Sequence, residues 1–460
     1  MAQPTELDAL YAFLAAAAVT ALLTPVTMRL ARAVGMIDEP RERGLSERPT
    51  PLLGGLAIFA GALVAGLIWL PAGYARESQG QLWHGVLLAA ALITLVGALD
   101  DRFDLHPALK LLGQVLAAVI VVHFGVAVKT ITLPFVGQLH FPNAGVTNAG
   151  PVLTVIGLVV MMNVVNFSDG VDGLAAGVCA IIAAAMAVIA FDLDRQEPGV
   201  LAALTAGAAL GFLIYNFAPA SSFMGDCGAN LLGLLMGVIT VEAAVKTAAV
   251  VSFVLPLILL AVPFLDTTFV VLKRLKYKQP IYRPDSEHFH HRMARIGFSN
   301  RRTIAYLYAW TLLLAGLALA LRFVPYSDHK GHYYTGWTLV IFAIGLLVVA
   351  ASVYLVYVLE ILKFRRLDTT RLRRLRPDAS PAEIERDVAR DLETGEMDVV
   401  VSATPADAAV ATAPDAVFQR VAGDSPRAEQ GVGERQVDQQ RVGAEDERGG
   451  AQAPIATDRG

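Results

Sequence analysis

Long apolar runs recur along most of the chain and are separated by short polar connections. Runs of about 17–25 apolar residues match the length that an α-helix needs to cross the hydrocarbon core of a membrane. The runs are continuous and lack the alternation of barrel strands, so they predict an all-α polytopic bundle of about eleven transmembrane helices. The predicted spans are residues 9–30, 52–70, 84–99, 107–127, 150–167, 174–191, 199–216, 229–243, 247–272, 303–323 and 336–361.

Two segments depart from this pattern. Residues 129–140 alternate and contain Pro and Gly, which predicts a short external β-hairpin. From about residue 377 the chain is rich in Ala, Asp, Glu, Arg, Gln and Gly, a composition that buries too little apolar surface to fold alone. We therefore predict a membrane domain over residues 1–365. Residues 366–460 would form a basic juxtamembrane segment followed by a disordered cytoplasmic tail.

The composition supports a membrane protein. Hydrophobic residues make up 55% of the 460 positions and charged residues only 17%, whereas soluble domains carry about 25% charged residues. The lipid bilayer is thus one predicted partner, and nucleic acid is not. Residues 9–30 lack a basic start and are interpreted as the first span rather than a signal peptide. Cys179 and Cys227 are isolated, which favours free thiols over a zinc site.

Polar clusters stand where several of the apolar segments end. Ionisable groups at a membrane boundary are costly unless they are compensated, so their repetition indicates a functional face rather than a lipid anchor. Single clusters also have plainer interpretations, such as a solvated acidic loop or a helix cap. The clusters are Asp100, Asp101 and Asp104; Asn163, Asn166, Asp169 and Asp172; Phe223 and Asp226; and His288, His290, His291 and Arg292.

The distribution of basic residues predicts the orientation of the chain. Lys and Arg concentrate in alternate connections, above all in residues 273–302 and 363–376. The positive-inside rule then places the N-terminus outside and the C-terminus in the cytoplasm. With this topology all four polar clusters, together with residues 37–53, fall on the cytoplasmic face of the cell membrane.

The predicted face carries many carboxylates and few compensating cations in the same loops. Oxygen ligands of this kind suit Mg²⁺, which is usually held by one or two carboxylates together with substrate phosphates, and Mn²⁺ would serve similarly. A metal bridging a diphosphate would neutralise charge during phosphoryl transfer. The pattern therefore favours a metal-dependent reaction at a diphosphate.

Two other clusters extend this interpretation. Phe223 offers a flat face on which a base could stack, although packing at the membrane interface explains it equally well. The sequence His-x-His-His-Arg, from His288 to Arg292, lacks zinc-ligand spacing and fits better as a set of donors to phosphate oxygens.

Taken in order, the four motifs resemble the polyprenyl-phosphate N-acetylhexosamine-1-phosphate transferase family, in its WecA-like branch. The shared elements are Asp-Asp-x-x-Asp, Asn-x-x-Asn-x-x-Asp-Gly-x-Asp-Gly-Leu, Phe-Met-Gly-Asp and His-x-His-His-Arg, and the resemblance covers about residues 1–365. The His-x-His-His-Arg form separates this branch from the phospho-MurNAc-pentapeptide transferases.

The resemblance implies a reaction in which a polyprenyl phosphate attacks the β-phosphorus of a UDP-N-acetylhexosamine, most simply UDP-GlcNAc. The products would be polyprenyl-diphosphate-sugar and UMP, in the initiating step of cell-envelope polysaccharide synthesis. It gives Asp100 and Asp101 the role of deprotonating or orienting the acceptor phosphate and makes Asp226 catalytic, with Asn166 and Asp226 as Mg²⁺ ligands. The implied substrate-binding residues are Lys110, Asn163, Asp169, Asp172, Asn216, Phe223, His288, His290, His291 and Arg292.

One loop departs from the family pattern. The family often carries Asn-x-Arg-Lys-x-His between its Asp-x-Pro and Pro-Thr-Pro-x-x-Gly-Gly elements. Here both flanking elements persist, but residues 41–46 read Arg-Glu-Arg-Gly-Leu-Ser. The usual Lys and His are absent, so this loop departs from the family in the residues expected to contact the acceptor.

Three rival functions remain on sequence grounds. Within the enzyme class, a phospho-MurNAc-pentapeptide transferase is the main competitor. An ion-coupled transporter would place its acidic groups near mid-span rather than at helix ends. A non-catalytic envelope scaffold would leave the four motifs unexplained. A homo-oligomer is compatible with the sequence.

Overall fold

A computed structural model describes residues 4–39, 49–70, 79–133, 137–140, 149–244, 300–325 and 334–357, with Ser380 and Glu383. The described residues belong to one unit of the chain, Met1–Val400. Its helices are α1 Glu6–Ala33, α2 Gly54–Trp69, α3 Gln79–Phe103, α4 Pro107–His123, α5 Ala149–Ser168, α6 Leu174–Asp192, α7 Gln196–Asn216, α8 Gly225–Ala244, α9 Asn300–Phe323 and α10 Thr335–Tyr357.

Within these residues, seven helices are long and apolar enough to cross a membrane, and three shorter apolar helices accompany them. Together they coincide with ten of the predicted spans. The prediction of a helical, multi-pass membrane protein is therefore confirmed. The predicted span at 247–272 lies outside the described residues, and the predicted orientation of the termini stays a prediction.

Two helices extend further than their hydropathy predicts. The apolar run at 84–99 belongs to the longer α3, which carries Asp100 and Asp101 in its last turn. The run at 229–243 belongs to α8, which already begins at Gly225 and has Asp226 in its first turn. Both helices continue into polar sequence because the carboxylates at their ends find partners inside the bundle.

The interior of the bundle is formed mainly by α6, α7 and α8, whose side chains are buried almost all round, whereas α1 and α10 leave many apolar side chains exposed. Small residues permit close approach between α1 and α7. A Cβ atom at Gly207 or Gly211 would collide with the backbone carbonyl of Phe13 or Ala17. Small residues at helix contacts are the usual way in which membrane helices pack closely.

Two short antiparallel hairpins complete the described fold. Strands β3 (Thr130–Leu133) and β4 (Gly137–His140) pair with Thr130 opposite His140, which confirms the hairpin predicted for residues 129–140. Strands β1 (Ile37–Asp38) and β2 (Thr50–Pro51) pair just before α2. This second hairpin contributes to the polar end of the bundle described next.

Candidate active site

One end of the bundle gathers the polar residues singled out from the sequence. The C-terminal ends of α3 and α5 meet the N-terminal ends of α4 and α8 there. Because antiparallel neighbours bring opposite helix ends together, residues far apart along the chain become neighbours. This cluster consists of Asp100, Asp101, Lys110, Asn166 and Asp226.

The carboxylate of Asp101 caps the N-terminus of α8. It accepts hydrogen bonds from the backbone N–H groups of Asp226 at 2.7 Å and Cys227 at 3.2 Å. The positive end of a helix dipole and its unpaired N–H groups stabilise an anion at this position. Asp101 therefore fixes the helix that carries Asp226.

Gly225 makes this cap possible. Its φ of +66° is a backbone conformation that side chains disfavour, and a Cβ atom there would overlap the Asp101 carboxylate. The local geometry therefore requires the glycine of Phe-Met-Gly-Asp.

The ammonium of Lys110 lies at the centre of the cluster. Its Nζ is 3.0 Å from Asp100 Oδ2 and forms a second ion pair with Asp226 Oδ2. The Asn166 amide satisfies its neighbours when its nitrogen donates to Asp226 Oδ1 at 2.9 Å and its oxygen accepts from Lys110 Nζ at 3.2 Å. The side chains of Lys110 and Asp226 are 22% and 24% exposed, so the cluster remains open to solvent and small ligands.

A second polar layer lies one helical turn deeper. Gln114 donates to Asn230 Oδ1 at 2.8 Å and accepts from Asn163 Nδ2 at 2.8 Å. Gln114 and Asn230 follow Lys110 and Asp226 by four residues, which places each pair on one helix face. Both are 1% exposed. This layer ties α4, α5 and α8 together directly beneath the cluster.

Sequence reasoning missed Gln114 and Asn230. The available signal was a polar residue four positions beyond a site residue in an otherwise apolar helix. Asn163 was predicted to bind substrate, but its amide nitrogen is shared between Gln114 and the carbonyl of Val159 at 2.8 Å. Its predicted contact with substrate stays a prediction.

Two further predicted residues link loops. The carboxylate of Asp172 accepts from the backbone N–H of Ala220 at 2.9 Å. Asn216 accepts from the N–H of Gly173 at 2.9 Å and donates to the carbonyl of Ser222 at 2.9 Å. The loop between α5 and α6 is thereby fastened to the loop between α7 and α8.

Asp169 is the first residue of the loop between α5 and α6 and lies near the carboxylates of Asp101 and Asp172. Burial raises the pKa of its carboxyl well above the usual value, and the nearby carboxylates of Asp101 and Asp172 raise it further. Burial likewise raises the pKa of Asp172, although the hydrogen bond from Ala220 opposes the shift. A cation near Asp169 would relieve the crowding of negative charge.

Phe223 is held in place by the segment before α2. Its N–H donates to the carbonyl of Pro51 at 3.0 Å, and its carbonyl accepts from the N–H of Gly54 at 3.0 Å. The carbonyl of Met224 accepts from the N–H of Gly55 at the same distance. The Pro-Thr-Pro-x-x-Gly-Gly element therefore serves as the dock of the Phe-Met-Gly-Asp loop, and it leaves the Phe223 ring partly exposed.

The motif formed by His288, His290, His291 and Arg292 lies outside the described residues. The helix that follows it, α9, contacts the linked loops. Arg301 donates from Nε to the carbonyl of Ala218 at 3.0 Å, and the Tyr308 hydroxyl donates to the carbonyl of Gly173 at 2.5 Å.

The donor set of the cluster suits a hard cation that is shared with substrate. Among the described residues there is no group of three or more His, Cys, Asp or Glu side chains that could hold a metal ion without other ligands. Asp100, Asp226 and the Asn166 oxygen do converge on a single cation, the Lys110 ammonium. Two carboxylates and an amide oxygen fit Mg²⁺ when substrate phosphates supply the remaining ligands.

The fold and cluster define a class: a polytopic helical membrane protein with a carboxylate-rich site at one end of its bundle. Comparison with known sequences gives the family. The pattern of Glycosyl transferase family 4 matches residues 83–244.

The relatives extend that match. The chain is 33% identical over 317 residues to the "Probable undecaprenyl-phosphate N-acetylglucosaminyl 1-phosphate transferase" of Bacillus subtilis, covering 68% of this chain and 84% of that one. It is 34% identical over 338 residues to the decaprenyl-phosphate N-acetylglucosaminephosphotransferase of Mycobacterium tuberculosis, with coverage of 68% and 82%. It is also 33% identical over 352 residues to the phospho-N-acetylmuramoyl-pentapeptide-transferase of Mycobacterium ulcerans, with coverage of 66% and 94%.

The chain belongs to the polyprenyl-phosphate N-acetylhexosamine-1-phosphate transferase family. The resemblance inferred from the four motifs is thereby confirmed.

Proposed function

We propose that the protein transfers GlcNAc-1-phosphate from UDP-GlcNAc to a polyprenyl phosphate, giving polyprenyl-diphosphate-GlcNAc and UMP. The names of the relatives from Bacillus subtilis and Mycobacterium tuberculosis support the substrates. The observation that carries the proposal is the convergence of Asp100, Asn166 and Asp226 on the Lys110 ammonium at one end of a membrane bundle.

In the proposed reaction, an oxygen of the lipid phosphate attacks the β-phosphorus of UDP-GlcNAc. A new P–O bond forms to the lipid phosphate, the bond from the β-phosphorus to the bridging oxygen breaks, and the electron pair leaves with UMP. Mg²⁺ held by Asp226 and Asn166 would neutralise charge on the diphosphate. Lys110 would donate to phosphate oxygens, since an ammonium strengthens its hydrogen bonds as negative charge develops.

The remaining residues position these groups. Asp101 holds the first turn of α8, and Asp100 orients the acceptor phosphate through its neighbour Lys110. Phe223 would stack on uracil, while Asp169, Asp172 and Asn216 shape the loops around the nucleotide. His288, His290, His291 and Arg292 would donate to the diphosphate of the nucleotide-sugar.

The proposal includes a location. The positive-inside distribution of Lys and Arg supports an N-terminus outside, a C-terminus in the cytoplasm and an active site on the cytoplasmic face of the plasma membrane. This side gives access to a soluble nucleotide-sugar, and the surrounding bilayer delivers the polyprenyl acceptor. We propose eleven spans, of which the one at 247–272 lies in the part not described.

The second candidate within the family is transfer of phospho-MurNAc-pentapeptide. The relative from Mycobacterium ulcerans supports it with an identity equal to that of the Bacillus subtilis protein. Percentage identity alone does not separate the two substrates, but the relatives from Bacillus subtilis and Mycobacterium tuberculosis make GlcNAc-1-phosphate the better-supported one. The form His-x-His-His-Arg at residues 288–292 favours GlcNAc.

The test uses purified full-length protein with polyprenyl phosphate and either UDP-GlcNAc or UDP-MurNAc-pentapeptide, scored by UMP release. We expect release with UDP-GlcNAc in the presence of Mg²⁺ or Mn²⁺, and its loss in EDTA, because the donor set needs a cation to hold the diphosphate. Turnover of UDP-MurNAc-pentapeptide alone would refute the substrate, and full turnover in metal-free buffer would refute the metal requirement.

A further inference from the structure

The Lys110 ammonium pairs with oxygens that we propose as ligands of the divalent cation. Its three N–H donors match three oxygen neighbours, from Asp100, Asp226 and Asn166. Two of these, Asp226 and Asn166, are the residues assigned to the metal. In the metal-free protein a lysine thus neutralises the site that would otherwise hold Mg²⁺.

In this arrangement both oxygens of Asp226 already have a partner. Its Oδ2 accepts from Lys110 and its Oδ1 accepts from the Asn166 nitrogen at 2.9 Å. Mg²⁺ binds oxygen at about 2.0–2.1 Å in near-octahedral geometry, so it requires an oxygen that is not already shared with a second positive charge. A metal that approaches Asp226 from the direction of these partners therefore displaces the ammonium or the amide.

Displacement of the ammonium is the easier of the two. Lysine carries its charge on a flexible four-carbon stem with rotatable donors, and the Lys110 side chain is 22% exposed toward the open end of the bundle. The backbone beneath it is fixed, because Gln114 ties this face of α4 to Asn163 and Asn230 one turn deeper. The side chain can therefore leave without movement of the helix.

We propose that Lys110 acts as an exchangeable counter-ion: it pairs with Asp226 when metal is absent, and metal binding releases its ammonium toward the phosphates of the substrate. This inference rests on the proposed function for the identity of that substrate. It explains why Lys110, which we propose to bind the substrate phosphates, pairs with Asp226, which we propose as a metal ligand. It also makes a prediction of unusual sign, namely that removal of a residue needed for turnover tightens metal binding.

The experiment measures Mn²⁺ binding to full-length protein in lipid nanodiscs, without substrates, from the electron paramagnetic resonance signal of free Mn²⁺. Lys110→Gln removes the competing charge and should lower the Kd for Mn²⁺ about tenfold. The free energy of a tenfold change is only a part of the electrostatic attraction between two unit charges at ion-pair distance. Lys110→Arg keeps the charge and should stay within about twofold of wild type, since the competition persists.

Two control variants test whether the change in Kd arises at this site. Lys129→Gln makes the same change of charge on an exposed residue in the segment between α4 and β3, and it should leave the Kd unchanged. Asp226→Asn should weaken Mn²⁺ binding in the wild-type and the Lys110→Gln backgrounds alike. Lys110→Met keeps an apolar side chain of similar length. It replaces Lys110→Gln if the elution volume in size-exclusion chromatography or the Tm of Lys110→Gln differs from that of wild type.

A Kd for Lys110→Gln or Lys110→Met that is unchanged or weaker than wild type would overturn the exchange, as would the absence of Mn²⁺ binding by every variant. UMP release by wild type, measured in parallel, keeps this outcome separate from the proposed function. Tighter Mn²⁺ binding by Lys110→Gln, with no UMP release by wild type, would refute the proposed reaction and support the exchange. UMP release by wild type, with an unaltered Kd in Lys110→Gln, would support the reaction and refute the exchange.

Discussion

The buried layer of Gln114, Asn163 and Asn230 gives a prediction that combines stability and rate. Gln114→Leu removes the donor to Asn230 Oδ1 and the acceptor for Asn163 Nδ2, each at 2.8 Å. The Asn163 nitrogen keeps its bond to the carbonyl of Val159, and the Asn163 oxygen loses only a long contact of 3.5 Å with Gln114. The Asn230 oxygen loses its partner at 2.8 Å. One buried acceptor left unsatisfied costs about 1–3 kcal/mol.

We therefore expect Gln114→Leu to lower the free energy of unfolding by about 2 kcal/mol, within the range that a buried orphan group implies. Asn230→Leu should destabilise as well, because it removes the other partner. The double variant should be less destabilised than the sum of the two single variants by about 1 kcal/mol, since it leaves neither group orphaned, and interhelical hydrogen bonds in membranes couple at about this strength.

The kinetic consequence should fall on kcat. Gln114 and Asn230 hold α4 and α8 one turn below Lys110 and Asp226, and a small misplacement of reacting groups can cost as much as about 100-fold in rate. We expect kcat to fall at least about tenfold in Gln114→Leu with little change in KM for UDP-GlcNAc. Unfolding midpoints in SDS titrations and steady-state kinetics measure both. Strict additivity of the two substitutions, or a wild-type kcat in Gln114→Leu, would refute the positioning role of this layer.

Three further predictions concern single residues of the site. Asp226→Asn should fold normally but lower kcat by orders of magnitude, because it removes a metal-ligating charge, and near-wild-type kcat would contradict this assignment. Phe223→Ala should chiefly raise KM for the nucleotide-sugar, because it removes about 1–3 kcal/mol of binding free energy from base stacking. A loss confined to kcat would show that the base lies elsewhere. Gly225→Ala should lower stability and kcat together, because its φ of +66° and its contact with Asp101 leave no space for a Cβ atom, so a fully active, stable variant would exclude the tight cap.

The sequence predicted most of the architecture because hydrophobic length alone decides which segments can cross a membrane. Ten predicted spans correspond to helices in the described part of the chain, and the hairpin at residues 129–140 has its expected antiparallel pairing. The helix ends were less predictable. Hydropathy falls at Asp100 and before Ala229, but the helices continue because Asp101 caps α8 across the interface.

The sequence predicted which residues belong to the candidate site, but not which of them contact each other. Motif order identified Asp100, Asp101 and Asp226, but a linear pattern does not encode which carboxylate faces a helix terminus and which faces Lys110. Gln114 and Asn230 escaped notice because single amides in apolar helices have no motif of their own. Their role emerges only when three helices bring them together.

The central claim is that a phosphorylated sugar moves to the lipid, and the fate of the β-phosphorus tests it most directly. Purified protein is incubated with polyprenyl phosphate, Mg²⁺ and UDP-GlcNAc labelled with ³²P at the β-phosphate, and lipid is then extracted into butanol. The account predicts that label enters the lipid phase in step with the release of unlabelled UMP, because the bond between the bridging oxygen and the β-phosphorus breaks. Label that remains in UDP while GlcNAc enters the lipid would show transfer of the sugar alone and would contradict the account.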